Sequence, residues 1–246
     1  MANRPTFLDV LKQRVIVYDG AMGTSIQRYD LGAADFGGEH LVGCNDHLVL
    51  TRPDIIEAIH ASYLEVGCDV LETDTFRSNR LTLKEYRLED QVLELNRAAA
   101  ALARRVADRF STPERPRFVA GSIGPSGFLP SASDPTLGNI TYEELVVVFE
   151  EQARGLIEGG VDVLLIETSQ DLLEVKAAVT GCKQAIAAVS KLGSAKPTLG
   201  DPKRRRVKRS TPPPETRRPL RRPWAPDPAR SRPAVQPGSP CGPGGG

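Results

Sequence analysis

Four uninterrupted apolar runs, each followed by a helix-favouring segment, constrain this chain more than any other feature. They are "RVIVYDG" (14–20), "DVLETDTF" (69–76), "RFVAGSIG" (117–124) and "VDVLLIET" (161–168). Continuous rather than alternating apolar character is the pattern of strands buried on both faces, as in parallel sheets. Between them, "DIIEAIHASYLEVG" puts Ile55, Ile56, Ile59, Tyr63 and Leu64 on one helical face, and "EDQVLELNRAAAALARRVADRF" is alanine-rich. "TYEELVVVFEEQARGLIEGG" opens with Thr141 three residues before Glu144, the spacing of a capping box, and closes at Gly159-Gly160. "DLLEVKAAVTGCKQAIAAVSKLG" supplies the last helix. Strand then helix, four times over, predicts α/β architecture with a parallel sheet.

What ends each run carries the functional information. Asp19-Gly20, Asp74-Thr75, Ser122 to Gly124 and Glu167-Thr168 are small or charged groups just past apolar stretches. In a (β/α)₈ barrel such ends converge on one mouth, where the chemistry sits. A doubly wound sheet also places its site at carboxyl ends, but no G-x-G-x-x-G follows the first run, which favours the barrel. The expected fold is therefore a partial (β/α)₈ barrel of about four βα units. Asp19 and Glu167 at a half-buried mouth suit an ammonium group; the plainer alternative makes them helix caps or surface acids. Thr73-Asp74-Thr75 reads equally as local turn hydrogen bonding. His60 reads as a packed or surface histidine rather than a ligand, Met22 and Tyr63 read as core rather than cofactor contacts, and His40, His47 and His60 share no ligand spacing.

The near-neutral charge of the chain conceals two opposite parts. From Pro197 onward there are 12 Lys+Arg against 3 Asp+Glu, which leaves 20 against 28 of the chain's 32 and 31 before it. The same segment holds 13 of the 20 prolines, too little apolar surface to offset ordering, and is expected to be disordered. The expected organisation is thus a barrel portion over 1–196 and an Arg/Pro/Gly-rich tail over 197–246. No segment approaches the ~20 apolar residues of a membrane span, and "MANRPTFLDVLKQR" lacks the apolar core of a signal peptide. Cys44, Cys68, Cys182 and Cys241 have no paired spacing, so a reduced, cytoplasmic setting is expected.

The stretches "VIVYDGAMGTSIQ", "GCNDHLVLTRPDIIEAIHASYLEVGCDVLETDTF", "GSIGPSG" and "VDVLLIET" together resemble the homocysteine-binding barrel of the cobalamin-dependent methionine synthases. The wider homocysteine S-methyltransferase family shares the sparser parts. The resemblance covers about residues 8 to 195 and implies methyl transfer to a homocysteine thiolate, giving methionine. It implies Asp19 and Glu167 at the substrate amino group, with Gly20, Asp74 and Ser122 lining the same pocket; where Asp74 stands the family more often has asparagine. It also implies zinc on the homocysteine sulfur, and methylcobalamin on a separate domain as methyl donor. The family's zinc cysteines, one at a later strand end and two in a "GGCC", have no counterpart here, so no metal ligand or catalytic residue is assigned.

The pattern stops near Lys196-Pro197, and the following text reads as a frame shift in GC-rich coding sequence, which predicts a truncated, inactive chain. One rival function is a nucleic-acid-binding or interaction protein using "PKRRRVKR" (202–209), disfavoured because aromatics are not interleaved beyond Trp224. Another is a barrel lyase or aldolase with Asp19 and Glu167 as acid and base; it wants a strand-end lysine, and none is present.

Overall fold

The structure, a computed structural model, describes residues 4–194. The tail and the boundary expected at 196–197 lie outside the described residues. Three parallel strands form one sheet in the order β1 (Val70–Glu72), β2 (Phe118–Ile123), β3 (Val163–Ile166). Val70 pairs with Phe118, and Ala120 with Val163, so each strand lies beside its predecessor, with a helix in each connection. β2, between two partners, is buried along its whole length.

The first apolar run departs from expectation. It is not a full strand: it joins β1 by a single parallel bridge, Tyr18 to Val70, held by Asp19 N donating to Val70 O at 3.0 Å and Val70 N to Val17 O at 3.2 Å. The reason is visible in its two faces. Ile16 and Tyr18 pack with Val10, Val70, Phe118 and Ala120, whereas Val15 is 81% and Val17 54% exposed. Among the described residues nothing covers that outer face, so the run behaves as a one-sided edge, and the sheet is open rather than closed into a barrel.

Four long helices cover the sheet, close to where the pattern puts them. α1 (Pro53–Val66) starts with Pro at its first position, where no N–H is needed, and stops at Gly67 in the left-handed region. Its buried face is Ile55, Ile56, Ile59, His60 and Leu64. α2 (Val92–Phe110) begins three residues later than predicted, because Glu89–Gln91 makes a tighter 3₁₀ turn. α3 (Tyr142–Gly159) has the expected capping box: Glu144 N donates to Thr141 Oγ1 at 3.2 Å and Thr141 N to Glu144 Oε2 at 2.8 Å. α4 (Leu172–Ser194) packs on α3.

Close packing of α2 on α3 depends on two glycines one helical turn apart. A Cβ on Gly159 would lie 2.5 Å from Ala100 Cβ, and one on Gly155 2.8 Å from Asn96 Cβ. Their absence lets the backbones approach and brings Gln152, on the same helix, over the strand ends. Its Nε2 donates to Thr75 O at 2.9 Å. No helix among the described residues is long and apolar enough to cross a membrane.

Candidate functional site

The carboxyl ends of the strands open into a cavity of about 470 Å³. Asp19, Gly20, Asp74, Ser122 and Glu167, drawn from four separate segments, all line it. The sequence reading thus named five residues that the fold brings together.

Asp19 ends the bridged segment and turns inward, with its side chain 2% exposed. Both carboxyl oxygens accept from Glu72 N at 3.1 Å, which ties the first segment to the end of β1. Burial pushes the Asp19 carboxyl up to about 8; the Glu72 N–H works against that rise, and the nearby Glu72 and Glu167 carboxylates add to it. Glu72 is itself raised, first by its half-buried position and then by Glu167. Asp19 and Glu72, both raised, share the cleft with Glu167, and three carboxyls so placed form a site for a cation.

Gly20 is there because space is short. A Cβ would come within 3.0 Å of the Tyr63 ring, and the Tyr63 hydroxyl donates to Ala21 O at 3.1 Å. Tyr63 therefore packs, as predicted, by bracing the turn after Asp19. Met22, also read as core, both packs against the core and lines the cavity.

Ser122 and Glu167 are neighbours across β2 and β3. Ser122 Oγ donates to Glu167 Oε1 at 2.6 Å, and Thr168 Oγ1 to Oε2 at 3.3 Å. Glu167 N continues the ladder to Ile123 O at 3.1 Å, while Thr168 turns away at φ 57°, a left-handed conformation that is strained for a β-branched residue. The strand thus ends abruptly at Glu167.

Local hydrogen bonding at 73–75 takes the threonines and not the acid. Thr73 Oγ1 lies 2.6 Å from Thr75 Oγ1 and accepts from Ser122 N at 3.0 Å, while Thr75 Oγ1 donates to Ser122 O at 2.8 Å. Asp74 is left buried beside Asp46, and its Oδ2 has no hydrogen-bond partner among the described residues. Burial raises Asp74 well above the usual carboxylate range, and Asp46 adds to it.

Glu72, Asp46, Arg77 and Asn45 also line the cavity and were not singled out from the sequence. Glu72 could have been: it stands two residues before Asp74, the same-face spacing of a strand. His60 is a packed histidine, fully buried on α1, with Nδ1 4.0 Å from Asp19 Oδ2 and burial lowering it to about 4. It is neutral near pH 7.

A zinc site does not fit these residues. No three His, Cys, Asp or Glu side chains among those described converge as metal ligands do. Cys44, Cys68 and Cys182 are each buried, and burial pushes their thiols up to about 12, 12 and 11. Cys241 lies outside the described residues.

Residues 16–203 match the family model described as homocysteine S-methyltransferase. The chain belongs to the homocysteine S-methyltransferase family. The match runs some residues past the Lys196-Pro197 junction at which the sequence pattern was expected to stop. Within the family, the chain is 48% identical over 179 residues to the methionine synthase of Mycobacterium tuberculosis and 45% identical over 179 residues to that of Mycobacterium leprae. Each alignment covers 73% of this chain and 14% of the relative, so the chain spans about one seventh of those proteins. Among solved structures it is similar to the metallated form of the homocysteine methyltransferase MmuM of Escherichia coli. The TM-score is 0.58 at 20% identity, covering 74% of this chain and 62% of that one. The oxidized form gives the same score. This likeness establishes the α/β fold with its parallel sheet.

Proposed function

We propose that this chain carries the homocysteine-binding portion of a methionine-synthase-type methyltransferase, built on the first βα units of a (β/α)₈ barrel. The observation that carries the reading is the convergence of Asp19, Glu167 and Ser122 on one cavity at the strand ends. Membership of the homocysteine S-methyltransferase family supplies the substrate class.

In this reading Asp19 and Glu167 hold the substrate ammonium. Ser122 fixes the Glu167 carboxylate, and Gly20 leaves room for the Tyr63 ring that braces the turn after Asp19. Glu72 adds a third negative charge to the same end. Ammonium binding removes the mutual repulsion of these carboxyls, so Asp19 loses its proton as the ligand enters. The residues present orient an amino acid; nothing among them ionises its sulfur. In the family that chemistry is expected of zinc, with the methyl group arriving from methylcobalamin on a separate domain. Because the residues described do not fit zinc, they are assigned to holding homocysteine and none of them to the methyl transfer.

The barrel lyase reading lacks support, since no lysine among the described residues lines the cavity. A cytoplasmic setting accompanies the proposal. The test is L-homocysteine binding by the full chain, with D19N and E167Q as variants. Binding that both variants weaken tenfold or more supports the reading, and unaffected binding overturns it.

A further inference from the structure

The strand-end cavity has a second polar end that the ammonium site does not use. Asp74, Asn45, Arg77 and Asp46 line it. Asp46 and Asp74 are both buried, at 7% and 8% exposed, and they come from segments far apart in the chain. Their surroundings differ sharply. Asp46 Oδ1 accepts from Ser78 Oγ at 2.8 Å and from Arg77 N at 3.0 Å. Asp74 Oδ2 is closed to water and has no partner among the described residues.

Two carboxylates cannot both be ionised in so dry a place, and the proton goes to the one that no donor stabilises. That one is Asp74. The other groups around the pair do not reverse this. The Cys44 thiol is pushed up to about 12, first by burial and then by Asp46, so it stays neutral. Tyr86 is also raised, first by burial, and stays neutral. The Arg77 guanidinium is engaged by both oxygens of Glu85, at 2.7 and 2.8 Å, and its side chain is 45% exposed. A carboxylic acid kept neutral presents an O–H, which a carboxylate cannot.

We propose that Asp74 is a protonated acid whose O–H is the hydrogen-bond donor for the carboxylate of the bound amino acid, kept protonated first by its burial and then by the neighbouring Asp46 carboxylate. This assignment rests on the homocysteine reading above for its ligand, and on the chain's own residues for its protonation. It gives the cavity two ends matched to a zwitterion. Asp19, Glu72 and Glu167 face the ammonium, while Asp74 and Asn45 face the carboxylate.

Protonation and ligand recognition are tested separately. With carboxyl ¹³C-labelled aspartate in the full, ligand-free chain, the Asp74 signal is expected to stay that of the acid well above the pH at which ordinary aspartates ionise. In D46N its titration moves to lower pH. An Asp74 signal titrating near the ordinary value of about 4 overturns the proposal without touching the homocysteine reading. For recognition, D74N keeps an N–H donor and is expected to bind L-homocysteine within about threefold of wild type, whereas D74A loses about tenfold or more. Tenfold loss in D74N shows that Asp74 works as a carboxylate and overturns the proposal. Failure of the unaltered chain to bind homocysteine removes the functional reading and the ligand assignment together, leaving the ¹³C signal to decide protonation.

Discussion

Ser122 Oγ donates a 2.6 Å hydrogen bond to Glu167 Oε1 between the ends of adjacent parallel strands. One residue therefore fixes the orientation of an acid 45 positions later, using only the register of β2 against β3. Removing the hydroxyl leaves Glu167 able to swing toward water. S122A is expected to weaken L-homocysteine binding roughly tenfold, the worth of one charge-assisted hydrogen bond of about 1.5 kcal/mol. Thermal stability should move much less, and calorimetry alongside a melting curve reads both.

The pH dependence of stability follows from Asp19 and His60. The folded-state Asp19 is raised from 3.8 to about 8, so the stability it contributes is fully present below pH 4 and is lost as pH rises toward 8. His60, lowered from 6.5 to about 4, acts the other way, contributing above 6.5 and losing that as pH falls toward 4. The two oppose each other below pH 6.5. From 6.5 to 8 the Asp19 effect stands without that opposition. Denaturant melts should show stability falling across that window, with Asp19 alone contributing at most about 1.4 kcal/mol per pH unit. D19N should flatten the slope. A slope unchanged in D19N contradicts the assignment.

Much of this was legible before any coordinates. Thr141 and Glu144 marked the start of α3 because a capping box is local chemistry, settled within one turn. The inward acids Asp19 and Glu167 were legible because strand ends interrupt apolar runs abruptly. The two faces of 14–20 were not: Val15 and Ile16 are equally apolar, and only the packing decides which is covered. The Asp46–Asp74 pair was hidden for a related reason. It joins a 3₁₀ turn at Asn45–His47 to the residues just past β1, and no pattern within either segment announces the other.

Helix packing offers a test independent of the site. Because a Cβ on Gly159 would lie 2.6 Å from Arg97 O, on rigid helical backbone, G159V must push α2 and α3 apart. The expected cost is about 1–3 kcal/mol of overpacking, seen as a lower denaturation midpoint. G32A, whose Cβ would meet nothing within 4 Å, is the control and should leave the midpoint unchanged.

Metal content separates binding from turnover. Purified without chelator, the chain is expected to carry well under one equivalent of zinc, and added zinc should not tighten homocysteine binding. Elemental analysis checks the first and titration the second. One tightly held equivalent would show that residues outside those described complete a site.

The most direct test of the central claim is isothermal titration of the full chain with L-homocysteine at pH 7, in buffers of different ionisation enthalpy. With Asp19 protonated in the free chain and ionised against the ligand ammonium, one molecule should bind with net proton release. Affinity should rise as pH approaches about 8. L-methionine, whose sulfur carries no proton, should release protons equally, which places the proton on Asp19 rather than on the thiol. D19N should abolish the release and weaken binding tenfold or more. No binding, or binding by D19N indistinguishable from wild type, would contradict the account.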